Sequence, residues 1–272
     1  MKIILFTNAK DEYSILEWTI HHINLGFTTI YIYDHKSINL ISEILNGLKN
    51  VIINRIDIDD ISKIELIKNA VLYSKENNYD WMLYLDADEF LALPFYKNIN
   101  NFVDNYKEFD QICINWVFFG SNYLTNRPLD TILESYIRST GCLDKHIKCF
   151  VRPKNVINIV NPHYYIIEDQ NRSTGIFYNK QDSNELAHCP INNDIPLEIT
   201  HAYIAHYIYQ AYDVFISRKI DRKRDDTNES FEVCHFDENI LHSHYNNIIT
   251  TNIRNLYNDI NKIEIDKFQK KN

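Results

Sequence analysis

Glycine is scarce in this sequence, with only 5 among 272 residues. The phosphate-binding loops of P-loop and dinucleotide-binding proteins need closely spaced glycines, because their backbone must approach the phosphate groups. No segment of the sequence has that spacing. The scarcity therefore disfavours the proteins that hold a nucleotide with a glycine-rich loop.

Paired cysteines are also missing. The five cysteines, Cys113, Cys142, Cys149, Cys189 and Cys234, are odd in number and contain no C-x-x-C pair. This pattern disfavours a disulfide framework or a zinc knuckle and is typical of reduced thiols in a reducing compartment. We therefore expect a cytoplasmic protein.

Long apolar runs are absent as well. No segment approaches the ~20 consecutive apolar residues that a membrane-spanning helix needs. The amino-terminal sequence MKIILFTNAKDE has an apolar run too short for the core of a signal peptide, and it meets charged residues at once. It predicts a first buried strand, and the sequence predicts no transmembrane segment.

Basic residues are fewer than acidic ones, 28 against 37, which gives a net charge of −9. Such a chain offers no general positive field, so nucleic acid is not expected as a partner. Apolar and aromatic residues are abundant: 45% of the chain is hydrophobic, with 19 Tyr and 14 Phe. This composition predicts a globular chain whose rings pack in a core or line a cleft for carbohydrate.

Short apolar segments alternate with amphipathic ones in the first part of the chain. Strands are predicted at residues 2–7, 28–33, 51–56 and 81–85, and helices at 11–26, 40–48 and 61–75. This alternation predicts an α/β fold with a doubly wound, mostly parallel central sheet, flanked by helices and joined by right-handed crossovers.

The alternation weakens after Pro94. We predict a helix at 99–106, a strand at 111–118, two or three strands between 147 and 165, a polar loop at 171–196, a helix from 204 onward and an amphipathic helix at 238–268. The last of these has an apolar stripe that includes Ile248, Ile249, Ile253, Leu256, Ile260 and Ile263. We expect these carboxyl-terminal helices to pack on the body of the domain.

The segment WMLYLDADEF at residues 81–90 is the strongest candidate for a functional site. Its apolar run stops at Asp86, Asp88 and Glu89, so the acids are predicted at the carboxyl end of a buried strand, where open α/β sheets bind ligands. Carboxylates at positions i and i+2 of an extended segment point the same way and can share a hard cation. Alternatively, these acids are helix caps or solvated turn residues.

Two other predicted strands end near acids, at Asp11 and Asp34. Because the carboxyl ends of parallel strands meet at one edge of a sheet, we expect Asp11, Asp34 and Asp86 to lie at that edge. The repetition predicts one site built from distant parts of the chain.

Several motifs together resemble glycosyltransferase family 92, with a related pattern in family 2. They are KDEYSILEWTIHHINLGFTTIYIYDHKS, LDADEF, INWVFFGS, HIKCFVRP and IAHYIYQAYDVFISRKIDRKRDD, and the resemblance spans roughly residues 2–226. The resemblance implies a single GT-A type domain, predicted at residues 1–230, followed by a helical extension at 231–272. It also implies transfer of a sugar from a nucleotide-diphosphate donor to a carbohydrate or other hydroxyl acceptor, with inversion.

The same resemblance assigns roles to the acids. Asp86 and Asp88, the D-x-D pair, would hold Mn²⁺ or Mg²⁺ against the diphosphate, with His163 as our first choice for a further ligand and His206 as the second. Asp11 and Glu12 would meet the base and ribose of the nucleotide together with Asp34. Carboxylates suit the N–H of uracil and the ribose hydroxyls, so a UDP-sugar is the predicted donor.

Positive groups are expected at the departing diphosphate. Lys148 and Arg152, which flank the core of HIKCFVRP, are the candidates, because a cation near the leaving oxygen stabilises the transition state. The basic run RKIDRKRDD at 218–226 could add phosphate contacts, although a solvated face is the interpretation we favour for such a run.

Inversion by direct displacement requires a general base on the acceptor hydroxyl. The candidates are Glu134, Asp144, Glu168 and Asp169, with Glu134 preferred because it follows the INWVFFGS segment.

Two other functions stay open. One is metal-dependent phosphoryl chemistry, such as a nucleotidyltransferase, since paired aspartates also serve two-metal sites. The other is a sugar-binding module of the same fold that has lost turnover.

Overall fold

The structure is a computed structural model that describes residues 1–58, 61–175, 197, 200–220 and 237–271. Its first part alternates strands and helices. In chain order these are β1 (Ile3–Ala9), α1 (Ile15–Asn24), β2 (Thr29–His35), α2 (Ile41–Ile44), β3 (Val51–Ile56), α3 (Lys63–Glu76) and β4 (Trp81–Tyr84). Each predicted element of this part is present, with ends that shift by a few residues.

The second part is less regular. It contains β5 (Glu89–Ala92), α4 (Ile99–Asn105), β6 (Gln111–Phe118), α5 (Ile132–Ser135), β7 (Arg138–Ser139), β8 (Ile147–Val151), β9 (Val156–Ile159), β10 (Tyr165–Ile167), β11 (Ser173–Gly175), β12 (Tyr203–His206), α6 (Tyr212–Phe215), α7 (Glu238–Ser243), β13 (Ile248–Ile249) and α8 (Asn252–Gln269). A π-helical turn, Ile216–Ile220, continues α6.

One nine-stranded sheet organises these elements, in the order β3-β2-β1-β4-β8-β6-β12-β5, with β11 paired to β6. Strands β1 to β4 are mutually parallel, and β6 is parallel to β12. Strand β8 is antiparallel to both β4 and β6, and β5 is antiparallel to β12. The predicted α/β fold with a mostly parallel central sheet is confirmed, as expected for a GT-A type domain.

The period of two along each strand divides the core between the two faces of the sheet. On β1, Ile3 and Leu5 join the cluster that packs against Trp18 of α1, whereas Ile4 and Phe6 join the cluster that packs against Ile67 of α3. Helix α3 begins with a capping box in which Ser62 and Glu65 bond each other's backbone N–H. The helices thus hold the sheet from both sides and fix its edges.

Two predicted helix starts were wrong. Asp11 does not begin a helix, because its φ of 48° is left-handed and α1 starts only at Ile15. Of the helix predicted from Ile204 onward, only the part from Tyr212 is helical; Tyr203–His206 is a strand, since Ile204 pairs with Trp116 of β6 and Leu91 of β5. A central strand buries both faces, which removes the alternation that distinguishes a strand from a helix in sequence.

The predicted tail helix is divided into α7, β13 and α8. The buried face of α8 is partly polar: Asn258 donates to Glu134 of α5, and Asn261 bonds His21 and Asn24 of α1. The predicted stripe residues Leu256, Ile260 and Ile263 are exposed instead. The expectation that the carboxyl-terminal helices pack on the domain is confirmed.

The predicted domain boundary at residue 230 lies outside the described residues, as does most of the predicted polar loop at 171–196. Among the helices that the structure describes, none combines the length and apolarity needed to span a membrane.

Candidate active site

The carboxyl ends of the parallel strands form one edge of the sheet, which we call the carboxyl edge. On β1 and its neighbours, Ala9 pairs with Asp34 and Phe6 pairs with Tyr84, two residues before Asp86. Strand β12 brings His206 to the same edge, where its register partners are Glu89 of β5 and Phe118 of β6. The sheet therefore collects Asp34, Asp86 and His206 from three distant segments.

Asp86 is paired with two lysines. Lys63 of α3 contacts one carboxylate oxygen, and Lys148 Nζ of β8 lies 3.2 Å from the other. The side chain of Lys148 is only 1% exposed and its Nζ is also 3.6 Å from Glu89 Oε2. Burial opposes ionisation of Asp86, but the charges of Lys148 and Lys63 lower its pKa well below the ordinary value.

Glu89 behaves differently from its neighbours. Its carboxyl is fully buried and accepts a hydrogen bond of 2.9 Å from the backbone N–H of Asp86. Burial raises the pKa of Glu89 to about 8, against the opposing charge of Lys148. Glu89 is thus mainly protonated at neutral pH, which leaves Lys148 chiefly as the partner of Asp86.

Asp88 faces the second half of the chain. Arg218 Nη2 lies 3.1 Å from Asp88 Oδ2 and 2.9 Å from Glu12 Oε2, so one guanidinium joins the acid after β1 to the acid after β4. Lys219 Nζ is 3.6 Å from the same oxygen of Asp88. Burial opposes ionisation of Asp88, but the charges of Lys219, Arg218 and His206 hold its pKa well below the ordinary value.

The loops after β1 and β2 are bonded to one another. Asp11 Oδ1 accepts the backbone N–H of Ile38, and the Asp11 N–H donates to Ser37 Oγ. Asp34 accepts the N–H of Ser37 at 3.0 Å and pairs with Arg55 Nη1 at 3.0 Å. These bonds hold Asp11 and Asp34 side by side.

A cavity of about 440 Å³ opens beside these loops. Its lining includes Asp11, Glu12 and the Tyr13 ring, over which the Arg127 guanidinium lies at 5.2 Å. A space of this size is within the range of small-molecule sites. Glu12 is shared between the cavity and the ion pair that reaches Asp88.

Trp116 of β6 is the centre of an aromatic cluster. Its ring centroid is 4.4 Å from that of His206, 5.2 Å from that of His146 and 5.3 Å from that of His163. Within the described part of the chain, Trp116 Nε1 and His206 Nδ1 are buried without a hydrogen-bond partner. Buried polar atoms without a partner are uncommon, so we include Trp116 and His206 among the candidate site residues.

His206, and not His163, contacts the D-x-D pair. His206 Nε2 is 3.7 Å from Asp88 Oδ1, whereas His163 uses Nδ1 to bond the carbonyl of Ile147. Burial and the charge of Lys148 lower the pKa of His163 to about 3. Of the two histidines predicted as a further metal ligand, His206 is thus the one that lies against Asp88.

The predicted metal donors are partly brought together by the fold. Asp88 and His206 offer an oxygen and a nitrogen donor, with Asp86 beside them, a donor set that suits Mn²⁺. No cluster of three or more such donors that could hold a metal is formed among the described residues. Mg²⁺ and similar ions that serve phosphate chemistry commonly take one or two carboxylates and complete their shell with substrate phosphates and water.

Three predicted site residues lie at the opposite edge of the sheet, which we call the amino edge. Since β8 is antiparallel to β6, Lys148 pairs with Ile114 while the Arg152 N–H bonds the Asp110 carbonyl, about 13 Å farther along the strand. Asp169 caps a turn beside Arg172, which also contacts Asp110, and Glu168 precedes it. The structure thus places Arg152, Asp169 and Glu168 away from the acids of the carboxyl edge.

Glu134 and Asp144 remain from the predicted bases. Glu134 is bonded by three donors of α8, namely Arg254, Asn258 and Lys262, which is the environment of a structural anchor. Asp144 lies in the loop before β8 and bonds His146, which stacks on Trp116. Of these two acids, Asp144 is the one placed next to the aromatic cluster.

Lys63 and His146 were not predicted as site residues from the sequence, and a solvated face was favoured for the run that contains Arg218 and Lys219. The Arg218 side chain, 14% exposed, in fact lies between Glu12 and Asp88, and the run from residue 221 onward lies outside the described residues. The motif quoted as HIKCFVRP begins with His146, and Asp144 stands two residues earlier. That spacing is the signal that could have pointed to His146.

Comparison with known proteins gives a family. The family model described as glycosyltransferase family 92 matches residues 2–263. A glycosyltransferase family 92 protein of Ricinus communis is 24% identical over 219 residues, 73% of this chain and 33% of that protein. A second, from Oryza sativa subsp. japonica, is 26% identical over 168 residues, 56% of this chain and 27% of that protein. The chain therefore spans about a third or less of these relatives.

Solved structures show weaker likenesses. The crystal structure of S. aureus TarS 1-349 in complex with UDP has a TM-score of 0.38 and 12% identity, covering 56% of this chain and 47% of that chain. HddC from Yersinia pseudotuberculosis has a TM-score of 0.39 and 10% identity, covering 64% of this chain and 90% of that chain. These scores are too low to add to the family match.

Proposed function

The chain belongs to glycosyltransferase family 92, and from that premise we propose that its carboxyl edge transfers a sugar from a nucleotide-diphosphate donor, a UDP-sugar, to a hydroxyl of a carbohydrate acceptor. The reaction is a direct displacement with inversion at the anomeric carbon. The family membership bears out the prediction of a glycosyltransferase, whereas donor, metal and stereochemistry are parts of this proposal.

The observation that carries the proposal is the Glu12–Arg218–Asp88 bridge. It places Arg218, from a distant part of the sequence, in a site where Lys63, Lys148 and Lys219 also contact the D-x-D pair. A departing nucleoside diphosphate carries several negative charges. Cations held in place in advance stabilise such a leaving group without reorganising at the moment of reaction.

The nucleoside is assigned to the loops after β1 and β2. Asp11 and Glu12 line the cavity, and Asp34 is fixed beside Asp11 through Ser37. Carboxylates accept hydrogen bonds from uracil N3–H and from ribose hydroxyls, which supports UDP. The Tyr13 ring offers a flat apolar surface in the same cavity.

A divalent ion belongs to this proposal. Asp88 and His206, with Asp86 beside them, would hold Mn²⁺ or Mg²⁺, which would neutralise charge on the diphosphate. The residues of the chain have their own tasks: Lys148 and Lys63 orient Asp86, and Arg218 and Lys219 are available to the phosphate oxygens. Asp144, which lies next to the aromatic cluster, supplies the basic side of the acceptor site.

The experiment is a nucleotide-release assay with Mn²⁺ and a panel of UDP- and GDP-sugars, with and without carbohydrate acceptors. We expect acceptor-dependent release of UDP, a loss of at least about 100-fold in Asp88→Asn, and a loss with EDTA that Mn²⁺ restores. The matched control is Asp110→Asn, which removes an ion-paired aspartate of the amino edge and should keep its activity.

Other outcomes would contradict the proposal. Release of nucleoside monophosphate and pyrophosphate would favour phosphoryl transfer. Tight binding of UDP-sugar without turnover would favour a sugar-binding module. Equal activity in Asp88→Asn and Asp110→Asn would remove the D-x-D pair from the mechanism.

A further inference from the structure

A carboxylate–imidazole pair lies directly before β8. Asp144 Oδ1 is 2.5 Å from His146 Nδ1 and also accepts the backbone N–H of His146 at 2.9 Å. The backbone of Asp144 is tied to β6 twice, through its N–H to the Trp116 carbonyl at 2.7 Å and through its carbonyl to Asn115 Nδ2 at 2.9 Å. The carboxylate that holds the imidazole is thus itself held by the central sheet.

The imidazole is oriented from a second side. The His146 ring stacks on Trp116 with an interplanar angle of 18° and a centroid distance of 5.2 Å. Because Nδ1 is bound to a carboxylate, it carries the hydrogen, and the lone pair is on Nε2. Two fixed contacts therefore set both the tautomer and the plane of the ring.

His146 and His206 contact the same tryptophan but differ in exposure. The side chain of His146 is 34% exposed, whereas that of His206 is 6% exposed and lies against Asp88. An acceptor arrives from solvent, so the exposed imidazole is the one that it meets. The buried imidazole belongs to the leaving-group side, and Trp116 separates the two.

We propose that His146 is the general base that takes the proton of the acceptor hydroxyl, and that Asp144 is a positioning residue that acts through it. The inference rests on the proposed function and refines it, since it replaces a carboxylate base by an imidazole. His163, the other ring beside His146, is committed through Nδ1 to the Ile147 carbonyl and has no carboxylate partner of this kind among the described contacts.

In the proposed step, His146 Nε2 takes the hydroxyl proton while the acceptor oxygen forms a bond to the anomeric carbon. The bond between that carbon and the diphosphate oxygen breaks, and its electron pair leaves with the nucleoside diphosphate. The product is an imidazolium paired with the Asp144 carboxylate, which later returns its proton to solvent.

The charged and titratable groups around His146 come from several elements. Asp144 and Lys145 are on its own loop, His163 lies on the loop between β9 and β10, and Lys148 follows on β8. Tyr245, whose ring stacks on Phe118 at 4.6 Å, lies near Asp144 from the segment before β13. Among the described residues, Asp144 is the carboxylate that bonds the ring.

The test compares wild-type protein with His146→Gln and Asp144→Asn, using the donor and acceptor that the release assay identifies. We expect kcat to fall about 100-fold or more in His146→Gln, with the dissociation constant of UDP unchanged. The acid limb of the kcat profile should disappear in His146→Gln. It should move to lower pH in Asp144→Asn, because the imidazolium loses its carboxylate partner.

His242→Gln is the matched control, since His242 is also paired with a carboxylate, Glu238, but outside the site. It should keep kcat within about 3-fold, as substitutions away from the reacting groups usually do.

A kcat of His146→Gln within that range overturns the inference while the proposed function stands. A wild-type protein that releases no nucleotide with any donor overturns both. If His146→Gln fails to fold, Asp144→Asn and its pH profile decide.

Discussion

The two edges of the central sheet both carry aspartates paired with cations, yet the pairs differ in kind. At the amino edge, Asp110 is bonded by Arg172 at 2.5 Å and by Arg152 at 3.3 Å, and the Arg172 side chain is 43% exposed. At the carboxyl edge, Asp88 and Lys148 are almost completely buried, and His206 Nδ1 has no partner among the described residues.

The difference separates a structural ion pair from a functional one. An ion pair close to solvent, whose polar atoms all have partners, contributes little to stability and needs no ligand. Buried charges are costly to maintain, and strongly perturbed ionisable groups cluster at functional sites. The burial of the cation, 1% exposed for Lys148 against 43% for Arg172, therefore distinguishes the candidate active site more than the presence of charge does.

The largest difference between the two edges is expected when one cation is removed from each end of β8. Lys148→Met should reduce turnover about 100-fold or more, because Asp86 loses a buried partner and the diphosphate loses a cation. Arg152→Met, at the other end of the same strand, should change turnover less than about 3-fold. Steady-state release of nucleotide measures both, and equal losses would show that the edges do not differ in function.

The pH dependence of stability should differ between the edges, measured by urea unfolding with a chelator present. Burial raises the pKa of Glu89 to about 8 in the folded protein, so its contribution is full below the unfolded pKa near 4.5 and is lost as pH rises through 8. Glu89→Gln should flatten that decline, by on the order of 2 kcal/mol.

The contribution of Asp110 to stability depends on pH in the opposite direction. Burial opposes its ionisation, but the hydrogen bond and charge of Arg172 lower its pKa, so its contribution is present above the ordinary value and lost as pH falls through the folded pKa. Asp110→Asn should flatten the acid limb alone. If Glu89→Gln altered the acid limb instead, the assignment of a protonated Glu89 would be wrong.

The smallest effect is expected for Arg172→Ala. Its partner Asp110 keeps Arg152, and 43% of the Arg172 side chain is exposed, so the free energy of unfolding should fall only slightly. Turnover should not change. A loss of activity in this variant would show that the amino edge affects catalysis, contrary to the functional difference between the two edges.

Much of the first part of the fold could be predicted because its signals are local. Strand β3 was predicted with its observed bounds, as was β6, since apolar and β-branched runs there end at polar turn residues. The position of Asp86 and Asp88 after a buried strand was predicted for the same reason. Segment 204–211 could not be read correctly, because a strand covered on both faces loses its alternation.

The candidate site was predicted less completely. The sequence motifs located Asp86, Asp88 and Lys148, but they could not show that Arg218 reaches both Glu12 and Asp88, or that His206 lies closer to Asp88 than His163 does. Glu134 was preferred by its distance along the chain from a motif. Its three bonds to α8 depend on how the last helix docks, which no local pattern encodes.

By itself, the sequence determined where buried strands end and acids begin, because hydrophobic periodicity and turn chemistry act over a few neighbouring residues. Only the tertiary structure decided which charges meet. Alternation places Lys148 and Arg152 on one face of a strand but is silent about the direction in which that strand enters the sheet. Because β8 runs antiparallel, one of these cations reaches Asp86 and the other reaches Asp110.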